Sequence, residues 1–315
     1  MFFILSGYLN MCSAARHFKG SNNVSFKNSF DWIAKRFKRL LPLYYLAMAG
    51  ALAIRSPMPY WLGTEGRVNE ANISAHVLCV NGFFPHYNNS ILNVEWYLAA
   101  LFIYICLTPL IYKYLSKILH ALGVIVILLL LNPILYGPFA DLFPVANDPD
   151  IYLSYVYYFS PYPQLVIYMF GVLLFFIIGR IQKIKVDHPA ARSYILLSIG
   201  GLLCVIQIYM HWSFTFVKSF QLMAVFFLLI VISQEIHPSP VIDNKFFAVV
   251  GRHSYGIYLF QFVWLKLFDR IYKYKGTGHG AIRLVTSLVA LFIISYVVTK
   301  AERFARKRLR LLMAR

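Results

Sequence analysis

Charge is what this chain has least of. Only 13% of its 315 residues are charged, and just 12 of them are acidic. An ordinary soluble domain carries about 25% charged residues. With 60% of the chain hydrophobic and 17% aromatic, a soluble fold of this length could not hide so much apolar surface in one core. Strict alternation of apolar and polar residues is missing too, which excludes a membrane β-barrel. Cysteine is sparse: Cys12, Cys79, Cys106 and Cys204 form no CxxC and no metal-ligand spacing. Three of them read as buried or lipid-level, and Cys79, if it faces outside, makes no disulfide framework alone. The first apolar stretch lacks a basic n-region and a small-residue cleavage site, so it is not a cleavable signal peptide. There is no internal repeat and no low-complexity tract.

What remains is a succession of long apolar runs, such as Val124 to Leu131, Leu165 to Ile178 and Leu284 to Val298. Helices are the element that can span a membrane with such runs, because each satisfies its own backbone polar groups. The fold class expected is therefore all-α, a polytopic transmembrane helix bundle of about nine to ten spans. They fall near 1–15, 40–54, 93–112, 119–137, 164–181, 193–211, 216–234, 246–265 and 282–299. A tenth apolar stretch near 74–86 is interrupted by His76, Asn81 and Gly82. It reads as a loop or a short re-entrant or interfacial segment.

The net charge of +18 would suggest nucleic acid in a soluble protein. Here the basic residues sit between apolar runs, so positive-inside topology is the simpler cause and no nucleic acid is expected. Twenty-two of the 30 lysines and arginines fall in one set of alternate loops, beginning with Arg16 to Arg39 and ending with Lys300 to Arg315. That set is expected to be cytoplasmic, so 1–300 forms the membrane domain and 301–315 a basic cytoplasmic tail. On this orientation residues 1–15 run inward from the outer surface with nothing before them. The expectation is an internal methionine taken as a start, or a chain that has lost its first helix.

The outer loops differ in character. Residues 55–92 carry Glu65, Glu70, Asn72, Asn88 and Asn89, and residues 138–163 carry Asp141, Asp148 and Asp150 among prolines and tyrosines. Loops of this length are usually functional or disordered. Three glycosylation sequons begin at Asn23, Asn72 and Asn88, and the first lies on the cytoplasmic side, so all are read as chance matches. The tyrosines from Tyr152 to Tyr168 read as an aromatic belt, with sugar stacking as the sharper alternative.

Two stretches could carry chemistry. Arg36 and Arg39 lie three apart on one helix face, where the chain enters the bilayer from the cytoplasm. Arginine pairs bind phosphates through bidentate, charge-assisted hydrogen bonds, and an anchor to anionic lipid head groups is the alternative. At the opening, Gly7 of Phe2-Phe3-Ile4-Leu5-Ser6-Gly7 permits close helix approach, and Ser6 can hydrogen-bond across helices.

Phe2-Phe3-x-x-Ser6-Gly7, followed by a basic loop and Arg36-x-x-Arg39, resembles the membrane-bound acyltransferase type 3 family. The resemblance continues through Trp96-Tyr97-Leu98, through Phe170-Gly171, and through Gly251-Arg252-His253-Ser254-Tyr255-Gly256-Ile257-Tyr258-Leu259, to Glu302 near the last helix's end. Five motifs in order cover nearly the whole chain. Members O-acylate polysaccharides and other envelope glycans. The resemblance implies an enzyme of the bacterial plasma membrane with no bound cofactor. Its donor is cytoplasmic acyl-CoA, most often acetyl-CoA, whose phosphates Arg36 and Arg39 would hold. Its acceptor is a hydroxyl on a glycan or lipid-linked saccharide. Phe2, Phe3, Ser6, Gly7, Trp96, Ser254, Tyr255 and Tyr258 carry the family motifs. Two departures stand out. The family's first helix, with an arginine and the histidine usually taken as base, has no counterpart here, and Gln261 stands where a histidine is frequent.

Acyl transfer from a thioester needs a base for the hydroxyl proton and a donor to the oxyanion. A carboxylate at membrane depth is costly unless paired or functional. Glu95 is thus a catalytic candidate, with His86 in the preceding loop, and His76 joins them for acceptor binding or proton transfer. The bland alternative is an interfacial, hydrated Glu95 and ordinary loop histidines. Rival functions are a transporter or flippase for a glycan or lipid-linked intermediate, and a non-catalytic remnant.

Overall fold

The computed structural model describes residues 2–54, 68–141, 154–213, 217–272 and 280–313, and among them it contains helices and no strand. The α-helices are α1 (Phe2–Phe18), α2 (Phe26–Ala53), α3 (Glu70–Val77), α4 (Glu95–Tyr114), α5 (Ile118–Asp141), α6 (Pro161–Ile181), α7 (Pro189–Met210), α8 (Ser219–Ile236), α9 (Lys245–Tyr272) and α10 (Gly280–Met313). Each of the nine apolar stretches expected to span is helical. The tenth, near 74–86, is not a span: it holds the end of the 8-residue α3 and two short 3₁₀ turns, Asn81–Phe83 and Pro85–Tyr87. By length and composition, four helical segments among the described residues are able to cross a membrane: Glu95–Tyr114, Tyr155–Ile181, Pro189–Met210 and Ser219–Ile236. The basic stretch after residue 300 continues α10 without a break as far as Met313. Arg55, Glu65, Arg67, Asp148, Asp150, Tyr152, Lys273, Lys275 and His279, and the side chains of Asp141 and Glu302, lie outside the described residues.

Local chemistry sets the helix starts. The Ser25 hydroxyl accepts the Asn28 N–H at 3.3 Å ahead of α2, and the Asn69 side chain accepts the Asn72 N–H at 2.8 Å ahead of α3. Both satisfy N–H groups that a helix cannot pair internally. Pro161 and Pro189 open α6 and α7, where a missing N–H costs nothing. A five-residue π-helical turn, Tyr155–Phe159, leads into α6.

The chain divides into two compact units, Met1–Lys35 with Ala99–Asp243, and Arg36–Leu98 with Asn244–Arg315. In the first, α1 packs on α6 and α7 on α8. The α1–α6 contact is made by two glycines. A Cβ at Gly7 would lie 3.1 Å from the Gly171 Cα, and one at Gly171 would lie 2.9 Å from both the Ile4 carbonyl carbon and the Tyr8 nitrogen. Backbone meets backbone there, as small residues allow between membrane helices. Beside the crossing runs a buried polar chain: Asn10 Nδ2 donates to the Tyr168 hydroxyl at 3.2 Å, which lies 2.7 Å from the Thr108 hydroxyl. Tyr104 donates to the Pro161 carbonyl. Tyr155 and Tyr168 are fully buried while Tyr157 and Tyr158 are exposed, so this tyrosine-rich stretch is part core and part surface.

In the second unit α9 packs on α10. The Ser295 hydroxyl donates to the His253 carbonyl at 2.9 Å, and Gly256 lies against the same serine. The His253 ring sits 5.5 Å from Phe292 and 5.6 Å from Tyr296. The four cysteines form no disulfide, and Cys79 and Cys204 are buried.

Candidate functional site

The best-defined polar cluster is built by the seven residues ahead of α4. Asn93 takes a left-handed backbone (φ 63°), which asparagine tolerates better than most residues. The loop thereby folds back over the first turn of its own helix. The Glu95 carboxylate collects the result. Its Oε1 accepts the N–H of Ile91 at 2.6 Å and of Leu92 at 3.0 Å, and its Oε2 accepts Leu92 at 2.9 Å and Val94 at 3.0 Å. The Asn89 side chain accepts the Trp96 N–H at 3.1 Å. Successive N–H groups wrapped round an anion in this way form a nest.

His76 joins from α3. Its Nδ1 lies 2.8 Å from the Asn72 carbonyl and its Nε2 3.4 Å from Glu95 Oε1. A carbonyl only accepts, so Nδ1 donates to it, and Nε2 faces the carboxylate. The Ser90 hydroxyl donates to the Asn72 side chain at 3.0 Å. Glu95 and His76 have 0% exposure. The Glu95 carboxylate is buried, and both of its oxygens accept backbone N–H groups. It binds a loop together and presents no oxygen to solvent. Asn72 and Asn88 are also buried, which leaves their sequons without the exposed acceptor that glycosylation needs.

One of the motif tyrosines of α9, Tyr258, holds this cluster in place, and the other reaches α2. Tyr258 donates to the Val94 carbonyl at 2.6 Å and packs edge-on against Tyr97, with ring centroids 5.4 Å apart. Tyr255 donates to the Leu40 carbonyl of α2 at 2.9 Å, one turn past Arg36 and close to Pro42, while the Ser254 hydroxyl turns back to the Gly251 carbonyl at 2.8 Å. The Tyr258→Phe variant is expected to lose about 1 kcal/mol, the net worth of one such bond. A fall of a few degrees in the thermal midpoint in detergent checks it.

His86 is not part of this cluster. It lies beyond α3, half-buried, and its Nδ1 is enclosed without a hydrogen-bond partner among the described residues. Arg36 and Arg39 sit on an unbroken stretch of α2, the first half-buried and the second exposed. Trp32, a turn earlier, is buried and donates to the Ser13 hydroxyl at 3.2 Å. Of the opening motif, Phe3 and Gly7 are buried and Phe2 is half-exposed. The roles of Asn89 and Asn93 are not apparent in the sequence alone, and Tyr258 is legible there only as a motif residue. The run of asparagines just before an acidic helix start was the available signal, since such residues cap helices and turn loops.

A search of curated proteins and a search of solved structures returned no match. The family model described as an acyltransferase domain matches residues 1–300. That match takes in the Gly7–Gly171 crossing, the arginine pair, the Glu95 nest and the Tyr258 that secures it, and on its strength the chain belongs to the acyltransferase 3 family.

Proposed function

We propose that this protein is an integral membrane O-acyltransferase that moves an acyl group, acetyl in the first instance, from cytoplasmic acyl-CoA to a hydroxyl of an envelope or exported glycan. Family membership over residues 1–300 carries the reading. The hydroxyl oxygen attacks the thioester carbonyl, the carbon–sulfur bond breaks, and the CoA thiol leaves with the proton that the hydroxyl gives up. The protein crosses a bacterial plasma membrane nine times with its C-terminus in the cytoplasm, as the loop charges favour. Arg36 and Arg39 share one face of α2 and bind the phosphates of the donor, a task that suits the planar guanidinium fork.

The test is the pair Arg36→Ala with Arg39→Ala, made at the native locus. A charge-assisted hydrogen bond is worth about 1.5–3 kcal/mol, reduced here by solvent because Arg39 is exposed. The KM for acyl-CoA should rise about 10- to 100-fold, and glycan ester measured on the cells should fall with it. Unchanged ester after deletion of the gene, or glycan export that persists with no ester ever formed, overturns the reading.

A further inference from the structure

The stretch from α3 to the start of α4 carries a second feature. Residues 71–94 hold no lysine, arginine, aspartate or glutamate, yet Ile73, Val77, Leu78, Phe83 and Phe84 are exposed there. On a loop in water such a surface would be an adhesive patch. The anchors of this segment lie away from helix ends. Tyr45 of α2 donates to the Val77 carbonyl at 2.7 Å. Beyond Tyr45, α2 continues for eight residues, to Ala53, about 12 Å at 1.5 Å per residue. Tyr258, the donor to the Val94 carbonyl, stands fourteen residues before the end of α9 at Tyr272. Both tyrosines lie within uncharged stretches, residues 40–54 and 254–265. The segment is thus seated alongside apolar parts of two helices, short of their ends. There, α3 and the turns that follow it enclose a hollow of about 510 Å³, within the range of small-molecule sites, roughly 300–1,000 Å³. Six of its nine lining residues have wholly apolar side chains, Leu78, Val80 and Phe84 among them. Leu78 and Phe84 also belong to the exposed apolar face, so the hollow opens on that face.

We infer that this segment is re-entrant, dipping into the bilayer, and that its hollow takes one acyl chain of a membrane phospholipid. The site rests on the spans proposed above for α2 and α9 and is independent of the acyl-transfer chemistry. Beside the uncharged part of a span, the medium that meets Leu78 and Phe84 is hydrocarbon. Non-helical backbone is tolerated at that depth where the protein satisfies its polar groups. The Glu95 nest does this for the turn ahead of α4, since the N–H groups of Ile91, Leu92 and Val94 all bond to the carboxylate. Cavities lined mainly by apolar groups stay dry and accept apolar guests. Ser74, His86 and Tyr87 complete the wall with a minority of polar atoms, and the Tyr87 ring packs on Phe84 with centroids 5.5 Å apart. A charged head group or a sugar would turn polar groups toward Leu78, Val80 and Phe84, a desolvation cost that an alkyl chain avoids.

The experiment places the full chain in phosphatidylcholine nanodiscs that carry a trace of one of two photoactivatable phosphatidylcholines. One bears a diazirine in its acyl chain, the other in its head group. After illumination, adducts are mapped by peptide mass spectrometry. Leu46, exposed on α2, reports bilayer contact, and Val80 reports the hollow. The chain probe should label both residues, and it should label Val80 at least fivefold more than the head-group probe does. Ala71→Trp and Ser74→Phe each fill the hollow from an exposed position. Each should cut the Val80 adduct at least threefold, leave the Leu46 adduct unchanged and keep the elution profile of the parent. Chain label on Leu46 with none on Val80 overturns the site and leaves the proposed spans standing. So does a Val80 adduct that ignores both substitutions, or one that the head-group probe forms equally well. No chain label on Leu46 overturns the spans and the site together. The two probes decide on the parent protein alone should either variant fail to fold.

Discussion

Gly171→Leu should leave little folded protein. A Cβ at this position would lie 2.9 Å from two backbone atoms of α1, and closer still to the Ile4 carbonyl oxygen. Side-chain tips can swing aside, but a helix backbone cannot, so α1 and α6 would have to separate. Separation also pulls Asn10 away from the Tyr168 hydroxyl, a 3.2 Å contact, and uncovers Phe3 and Ile4, both buried. Overpacking a core typically costs about 1–3 kcal/mol. That range suits Gly171→Ala, and leucine adds three further carbons against the same rigid wall, so its cost should exceed about 3 kcal/mol. Gly201 serves as the internal control, because nothing lies within 4 Å of a Cβ there. Gly201→Ala should be neutral or gain about 0.5–1 kcal/mol from reduced backbone entropy. Thermal unfolding and monodispersity after detergent extraction read all three variants. A Gly171→Leu protein as stable as its parent would show that the helices do not meet at this point.

The contrast between those glycines shows what the sequence made legible. Each of the nine long apolar runs falls on a helix, and four helical segments among the described residues are long and apolar enough to cross a membrane. Gly7 could be read as a close-approach residue, since a lone glycine beside serine in an apolar run has few other uses. Its partner could not. Gly171 lies far along the chain, and a crossing is a fact about two helices. The candidate site divides in the same way. Glu95 stood out because a carboxylate at membrane depth needs a reason. The reason was hidden, since it lies in the backbone N–H groups of Ile91, Leu92 and Val94, and every non-proline residue carries such a group. His76 and His86 looked alike as loop histidines. What separates them is position: His76 lies on α3 and enters the buried cluster, while His86 lies on the later 3₁₀ turn Pro85–Tyr87, outside it.

Glu95→Ala is expected to destabilise the protein by about 3–5 kcal/mol, because several buried N–H groups lose their acceptor at once. Three N–H groups and an imidazole converge on this carboxylate, and the loop residues that carry those N–H groups are themselves buried. Alanine leaves every one of them unpaired. Each stranded donor costs about 1–3 kcal/mol before the loop relaxes, so the loop should open and admit water. With a total stability of about 5–15 kcal/mol for a typical domain, a loss of this size should lower the thermal midpoint sharply. Glu95→Gln separates anchoring from proton transfer. Its amide oxygen still accepts at one corner of the nest, but its NH₂ group faces N–H donors at the other. Anchoring therefore predicts a graded series, parent above Gln above Ala in stability, with remaining activity following the folded fraction. Proton transfer predicts that the Gln variant is as stable as the parent and inactive. Hydrogen exchange at Ile91, Leu92 and Val94 reports the same difference locally, because protection there should fall in both variants if the carboxylate holds the loop. Unchanged protection in Glu95→Ala would mean that the nest forms without its anion, and the structural role assigned to Glu95 would be lost.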